Sequence, residues 1–264
     1  MKNLNIYFLL LILFFGSIEA KAVFTVDGVH YWLCSAGGDS VKVGPYSMRD
    51  IFNVRPEYYG DVVIPAKVTY EGKTYRVIGI MECAFQESNA IFSGKPALRS
   101  VKIEAPITEI PYKCFFYSDV EVVSLPPTVT PFGNYSFSNC SKLKTVEIPS
   151  SAPLVSLGEQ CFLRCTNLKE LNLPNTVRDM GKECFCLSGL ISFKVPESMT
   201  YLPENCFSGS QLQEISIPLS VNRLGKECFS ETNLKDFDFP WSVNEIHGDE
   251  LSPKVLSPKV LSQE

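Results

Sequence analysis

Histidine is almost missing from this chain. Of 264 residues, only His30 and His247 carry an imidazole, and both stand near the ends. Ser-His-Asp and Cys-His catalysis need a base beside the nucleophile, so the long middle of the chain lacks that pair. No Cys-x-x-Cys occurs, which removes the usual zinc spacing. There is no P-loop, and Ser35–Ser40 (SAGGDS) is a lone glycine-rich turn. No block of lysine and arginine occurs, and the formal net charge is −5, which argues against nucleic acid as a partner. Beyond the first 22 residues no apolar run is long enough to cross a bilayer. These absences predict a chain that is not an enzyme, uses no cofactor and binds no metal.

What is present can build a core. Hydrophobic residues make up 45% of the chain and the mean hydropathy is near zero, so disorder is not the default. The start reads as an export signal over residues 1–22. Lys2 gives a positive end, Ile6–Phe15 (IYFLLLILFF) is apolar, and Ala20-Lys21-Ala22 has the small-x-small cleavage pattern. Cleavage is placed after Ala22, with Ala20 as the alternative. No cysteine follows the apolar run, so a lipid anchor is not expected. The exported protein would reside outside the cell, on its surface or in the periplasm, without a membrane span after cleavage.

Repetition dominates the rest. "GKECFC" at Gly181 and "GKECFS" at Gly225 are two copies of a wider pattern. Phe85, Phe115, Phe137, Phe162, Phe185, Phe207 and Phe229 recur, and the last three intervals are 23, 22 and 22 residues. Five residues before each stands an apolar residue: Ile80, Ile110, Phe132, Leu157, Met180, Leu202 and Leu224. Downstream come LKTVEIP, LKELNLP, LISFKVP, LQEISIP and LKDFDFP, from Leu143, Leu168, Leu190, Leu212 and Leu234. A form of P-x-[ST]-[VM] follows most of them.

A unit of about 22 residues cannot bury a core alone, so the units must stack. In L-x-x-Φ-x-Φ-P the alternation predicts a short strand with one buried face, stopped by proline. The expected strands are Val101–Ile103, Val122–Leu125, Val146–Ile148, Leu171–Leu173, Phe193–Val195, Ile215–Ile217 and Phe237–Phe239. Glycines 133, 158, 181 and 225 are expected to turn the chain. The predicted fold is a β-rich solenoid over residues 62–246. It has about eight coils of roughly 22–25 residues, stacked in parallel about 4.8 Å apart. Residues 23–61 are off-period and aromatic (Phe24, Tyr31, Trp32, Tyr58, Tyr59), and are read as an N-terminal β cap. A sugar-binding platform is the other use of those rings. Residues 247–264, with LSPKVLSPKVLSQE, are expected to be a flexible tail.

The composite pattern Φ-G-x-x-[AC]-F-x-x-[CS]-x-x-L-x-x-Φ-x-Φ-P-x-[ST]-V resembles the BspA-type leucine-rich repeat. The preamble, FTVDGVHYW and GDVVIPAKVTYEGKTYRVIGI, is similar to that of such bacterial proteins. Departures are Cys83 at a normally polar slot, the irregular IEAP, an insertion at Ser150–Pro153, and a last unit that ends in IHGDEL. The resemblance implies a leucine-rich-repeat solenoid, a secreted or surface location, and adhesion or binding as a monomer. The partner would be a protein or glycan, with the host as one source. A structural envelope component and an enzyme site in the N-terminal cap are the alternatives.

Five cysteines (114, 161, 184, 206 and 228) share the slot before phenylalanine with Ala84 and Ser136. Cys140 and Cys165 share another slot with serines and Thr232. Only small size is common to these residues, so packing is the favoured reading. Disulfides are the rival, since the chain is read as exported and ten cysteines is an even number. Cys140–Cys165 is the pair in register. Cys34, Cys83 and Cys186 fall outside these slots.

The x between the two Φ residues of each strand must point away from the core. That places Lys102, Ser124, Glu147, Asn172, Lys194, Ser216 and Asp238 in one outward line, flanked by Lys144, Lys169, Glu170, Glu214 and Lys235. Mixed charge suits a protein or glycan better than a polyanion. A merely solvated face accounts for the same pattern.

Overall fold

The computed structural model describes residues 23–35, 37–45, 58–86, 97–235 and 239–246. The segments read as signal (1–22) and tail (247–264), and with them His247, lie outside the described residues, as does Asp238.

An N-terminal sheet comes first. Strands β1 (Val23–Val26) and β2 (Val29–Leu33) form a hairpin around Asp27-Gly28, where both residues have positive φ. β3 (Ser40–Val43) pairs with β2, and β6 (Lys73–Ile80) pairs parallel to β3 and antiparallel to β5 (Lys67–Tyr70). β4 (Gly60–Ile64) instead leaves this sheet and starts the coil ladder. The N-terminal sheet therefore draws strands from both sides of residues 61/62, where the sequence reading placed a border.

Two parallel ladders then run along the coils. One contains β4, β7 (Leu98–Ile103), β8 (Val122–Ser124) and β10 (Thr145–Glu147), and resumes with β13 (Ser192–Lys194) and β15 (Glu214–Ser216). These are the expected L-x-x-Φ strands. β8 starts where predicted and ends one residue early, and from β10 onward each strand starts and ends one residue earlier than predicted. The second Φ still donates its amide, as Leu125 to Glu147 and Val195 to Ser216. The proline after it cannot, and pairing ends there. Leu171–Leu173 is not a strand, which corrects the expectation of one unbroken sheet. The gap falls one coil after the insertion at Ser150–Pro153. Of Phe237–Phe239, only Phe239 is described, and it is not in a strand.

The second ladder was not anticipated. It holds β9 (Pro131–Phe132), β11 (Ser156–Leu157) and β12 (Asp179–Met180), then β14 (Tyr201–Leu202), β16 (Arg223–Leu224) and β17 (Glu245–Ile246). Each except β17 ends on the apolar residue five before the phenylalanine. The next residue clamps it to the previous coil: Gly133 donates to Ile110, Gly158 to Phe132, Gly181 to Leu157 and Gly225 to Leu202, at 2.7–2.9 Å. Pro203 holds this place after β14 and has no N–H to give Met180, and the ladder breaks there.

The glycines are thus not where the chain turns, contrary to expectation. Positive φ falls on other residues, two before each phenylalanine (Cys83, Lys113, Tyr135, Gln160, Glu183, Asn205, Glu227) and two after most of them (Tyr117, Asn139, Arg164, Leu187, Gly209, Glu231). The glycines serve close approach instead. A Cβ at Gly133 would stand 2.7 Å from the Tyr112 nitrogen, and those at Gly158 and Gly181 would fall still closer to the neighbouring backbone.

At the centre the phenylalanines stack. Phe85, Phe115, Phe137, Phe162, Phe185, Phe207 and Phe229 lie 5.0–5.5 Å apart, with ring planes within 10° of parallel. The amide of each of the first six donates to the next coil's carbonyl, for example Phe185 to Cys206 at 2.8 Å. Tyr58 covers the first ring at 4.7 Å and donates to the Gly44 carbonyl. Phe24, Tyr31 and Tyr58 are buried. Trp32 is half-buried and donates to Pro45, and Tyr59 is exposed. Most of the N-terminal rings therefore close the core and are not available as a platform.

Candidate functional site

The polar faces are built by the same alternation that fills the core. In β8, Val123 is buried between Val122 and Ser124; in β13, Phe193 is buried between Ser192 and Lys194. Pairing sets the outward residues in rows. Lys102 lies opposite Ser124, Ser124 opposite Glu147, and Lys194 opposite Ser216. Lys102, Glu147, Asn172, Lys194 and Ser216 are exposed, and Ser124 is half-buried. Lys144, Lys169, Glu170, Glu214 and Lys235 are exposed beside them.

The line falls into two parts of different character. Before the gap its charges satisfy one another. Asp61 accepts from Arg99 and from Ser100, Lys102 pairs with Glu104 at 2.7 Å, Lys144 with Glu121 at 2.7 Å, and Ser124 donates to Glu147 at 2.6 Å. The Arg99 guanidinium holds the Asp61 carboxyl down at about 2. After the gap Glu170, Lys194 and Glu214 have no ion-pair partner among the described residues. These three, with Asn172, Ser192 and Ser216, surround a depression of about 320 Å³ floored by Leu171, Phe193 and Ile215. Ser192 was missed by the sequence reading, although Glu170 and Glu214, which it named, occupy the same position two before the outward residue, where alternation also points a side chain away from the core.

The cysteines do not form a site. None of the ten is disulfide-bonded, Cys140 and Cys165 included, and the seven in the two repeat slots are buried. Cys140 and Cys165 donate weakly to the Phe115 and Phe137 carbonyls of the preceding coil. Burial pushes the thiols of Cys114, Cys165, Cys184 and Cys206 well up, so they are poor nucleophiles. No group of three or more metal-ligating side chains converges among the described residues. His30 accepts or donates through Nδ1 with Thr25 and rests against Tyr58, and burial lowers its pKa. The glycine-rich turn presents the carbonyls of Gly37 and Gly38 to Lys73, which is the wrong polarity for a phosphate. No helix among the described residues is long and apolar enough to cross a membrane.

Stacked coils with parallel ladders and an internal phenylalanine column define a leucine-rich-repeat solenoid. The profile of the BspA type leucine rich repeat region, in six copies, matches residues 80–155 and 151–251. The chain belongs to the BspA-type leucine-rich-repeat family. Among solved structures it is similar to a leucine-rich repeat protein from Bacteroides ovatus (24% identity, TM-score 0.61, 84% of this chain and 60% of that one). It is also similar to a leucine rich cell surface protein from Faecalibacterium prausnitzii (23%, 0.52, 87% and 52%). A third is the leucine rich repeat protein of T. pallidum (19%, 0.58, 81% and 92%). At these identities the likeness is one of fold. The chain spans 60% and 52% of the first two. No curated protein matches the chain significantly.

Proposed function

We propose that the protein is an exported, non-catalytic binding module that takes a protein or glycan on its polar sheet face. The observation that carries this reading is the depression at Glu170, Lys194 and Glu214. Repeat regularity asks only that this face be polar, and before the gap the charges are tied up in pairs. After it, two carboxylates and an ammonium stand unpaired around an apolar floor with amide and hydroxyl groups between them. Such a site can bond hydroxyls or backbone amides and answer charges of both signs. Export is supported by the residues at 1–22 and by the cell-surface relative. That no histidine stands in the described coils, residues 97–235, supports a role without catalysis.

The test is a binding screen of the full exported chain against extracellular-matrix proteins, a glycan panel and envelope fractions. A variant with Glu170→Lys, Lys194→Glu and Glu214→Lys is run beside it. The reading expects a partner whose affinity falls by about tenfold or more in the variant. Equal binding by a folded variant would move the site off this face.

A further inference from the structure

The repeat provides an internal control for its own surface. Around Phe115, Phe185 and Phe207 the turn points four slots outward: three and two residues before the ring, and one and two after. In the later coils these hold charged, small or lone aliphatic residues, such as Lys182, Glu183, Cys186 and Leu187, or Glu204, Asn205, Ser208 and Gly209. Around Phe115 they hold Tyr112, Lys113, Phe116 and Tyr117, and Tyr135 follows on the next coil. The core does not ask for this, because the rings lie outside it. Tyr112 is 38% and Tyr117 46% exposed. The rings stand edge to face: Tyr112 against Tyr135 at 5.9 Å, Phe116 against Tyr135 at 6.4 Å and Phe116 against Tyr117 at 4.7 Å.

The Lys113 ammonium sits among them, 4.8 Å from the centre of Phe116, 5.1 Å from Tyr112 and 5.7 Å from Tyr135. No carboxylate pairs with it among the described residues. The ring faces attract the cation but leave its hydrogen-bond donors to solvent. Two kinds of partner are excluded by this arrangement. A cationic ligand would find the aromatic faces already taken. A purely apolar surface would bury an ammonium without an anion, which is costly. The partner must bring an apolar face to the rings and a negative group to Lys113.

We propose that this cluster is a second binding site, separate from the sheet face, for a carboxylated sugar. A uronic or sialic acid joins a flat C–H face and a carboxylate in one ring, with hydroxyls for the phenol groups at the rim. An acidic peptide carries its carboxylates on flexible arms with no such face beside them. Three probes are titrated into the full chain by calorimetry: trigalacturonate, a hyaluronan hexasaccharide and sialyllactose. The trigalacturonate methyl ester, lactose and a tri-glutamate peptide are the counterparts.

At least one acidic sugar should bind about tenfold or more tighter than its neutral counterpart and the peptide. Lys113→Asn, which suits the positive φ at this position, and Tyr112→Ala should each weaken that binding about fivefold or more. The triple change on the sheet face should leave it unaltered. Circular dichroism checks that the variants fold. The proposal is overturned if all three probes fail at millimolar concentration, if ester or peptide binds equally well, or if Lys113→Asn binds as the parent does. Loss of binding in the sheet-face variant instead would assign the sugar to that face and also overturn it.

Discussion

Replacing Gly181 by alanine adds one methyl group to an exposed-looking turn and should nonetheless damage the solenoid. A Cβ built there stands 2.5 Å from the Glu159 Cα and 2.6 Å from the Gly158 carbonyl carbon, and closer still to the Glu159 nitrogen. Ordinary contact begins at 3.4 Å, so the two coils would have to part by about 1 Å. Two hydrogen bonds lie on that seam: Gly181 to the Leu157 carbonyl at 2.9 Å, and the Gln160 amide to the Lys182 carbonyl at 2.9 Å. Overpacking of this kind costs about 1–3 kcal/mol, and weakening both bonds adds about 1 kcal/mol, for roughly 2–4 kcal/mol in all. For a domain of this size that is a fall in melting temperature of roughly 5–15 °C. The contrasting change is two residues away. Glu183 has φ +54, so Glu183→Gly should cost little or raise stability by up to about 1 kcal/mol. Chemical denaturation of both variants decides the matter. A harmless Gly181→Ala beside a damaging Glu183→Gly would refute the assignment of close approach to one position and backbone turning to the other.

Cys184→Ala should cost under about 1.5 kcal/mol and Cys184→Leu more than that, measured by urea midpoint, because the slot accepts small residues only. In the native protein a thiol reagent should label the half-buried Cys34, Cys83 and Cys186 first and the seven buried thiols only on unfolding. Asp61 titrates at about 2 because Arg99, and then Ser100, bond its charged form. A carboxyl with a lowered pKa contributes stability above its ordinary value, lost as pH falls from about 4 toward 2. Arg99→Gln should therefore move the Asp61 titration seen by NMR back up, and an unmoved titration would disprove the cause.

The coil pattern was legible because each slot repeats under the same packing demand. Phenylalanine, small residue and apolar strand recur together, so neither helix nor globule could satisfy them. The cysteine slots were readable for the same reason, since Ala84 and Ser136 report what the site tolerates. The glycines misled because one letter serves two needs, left-handed φ and missing volume, and sequence does not separate them. The second ladder hid in strands two residues long, below any periodicity, although Pro203 in a glycine slot marks its break. Strand pairing sets Lys102, Ser124 and Glu147 in one row and Lys194 and Ser216 in another. The gap at Asn172 depends on how neighbouring coils pair, which no single coil encodes. The aromatic turn at Tyr112 to Tyr117 is a departure from the repeat, and periodicity reinforces only the slots that recur, so a single coil's surface residues give no periodic signal.

Coils held in register create every outward row. Hydrogen exchange at the phenylalanine amides measures that register directly. Phe115, Phe137, Phe162, Phe185 and Phe207 each donate to the following coil at 2.7–2.9 Å, and all five rings are buried. Their amides should be among the slowest in the protein, while exposed turn amides such as that of Leu219 exchange orders of magnitude faster. Exchange of these five at the rate of the exposed turns would contradict the stacked solenoid and the surfaces read from it.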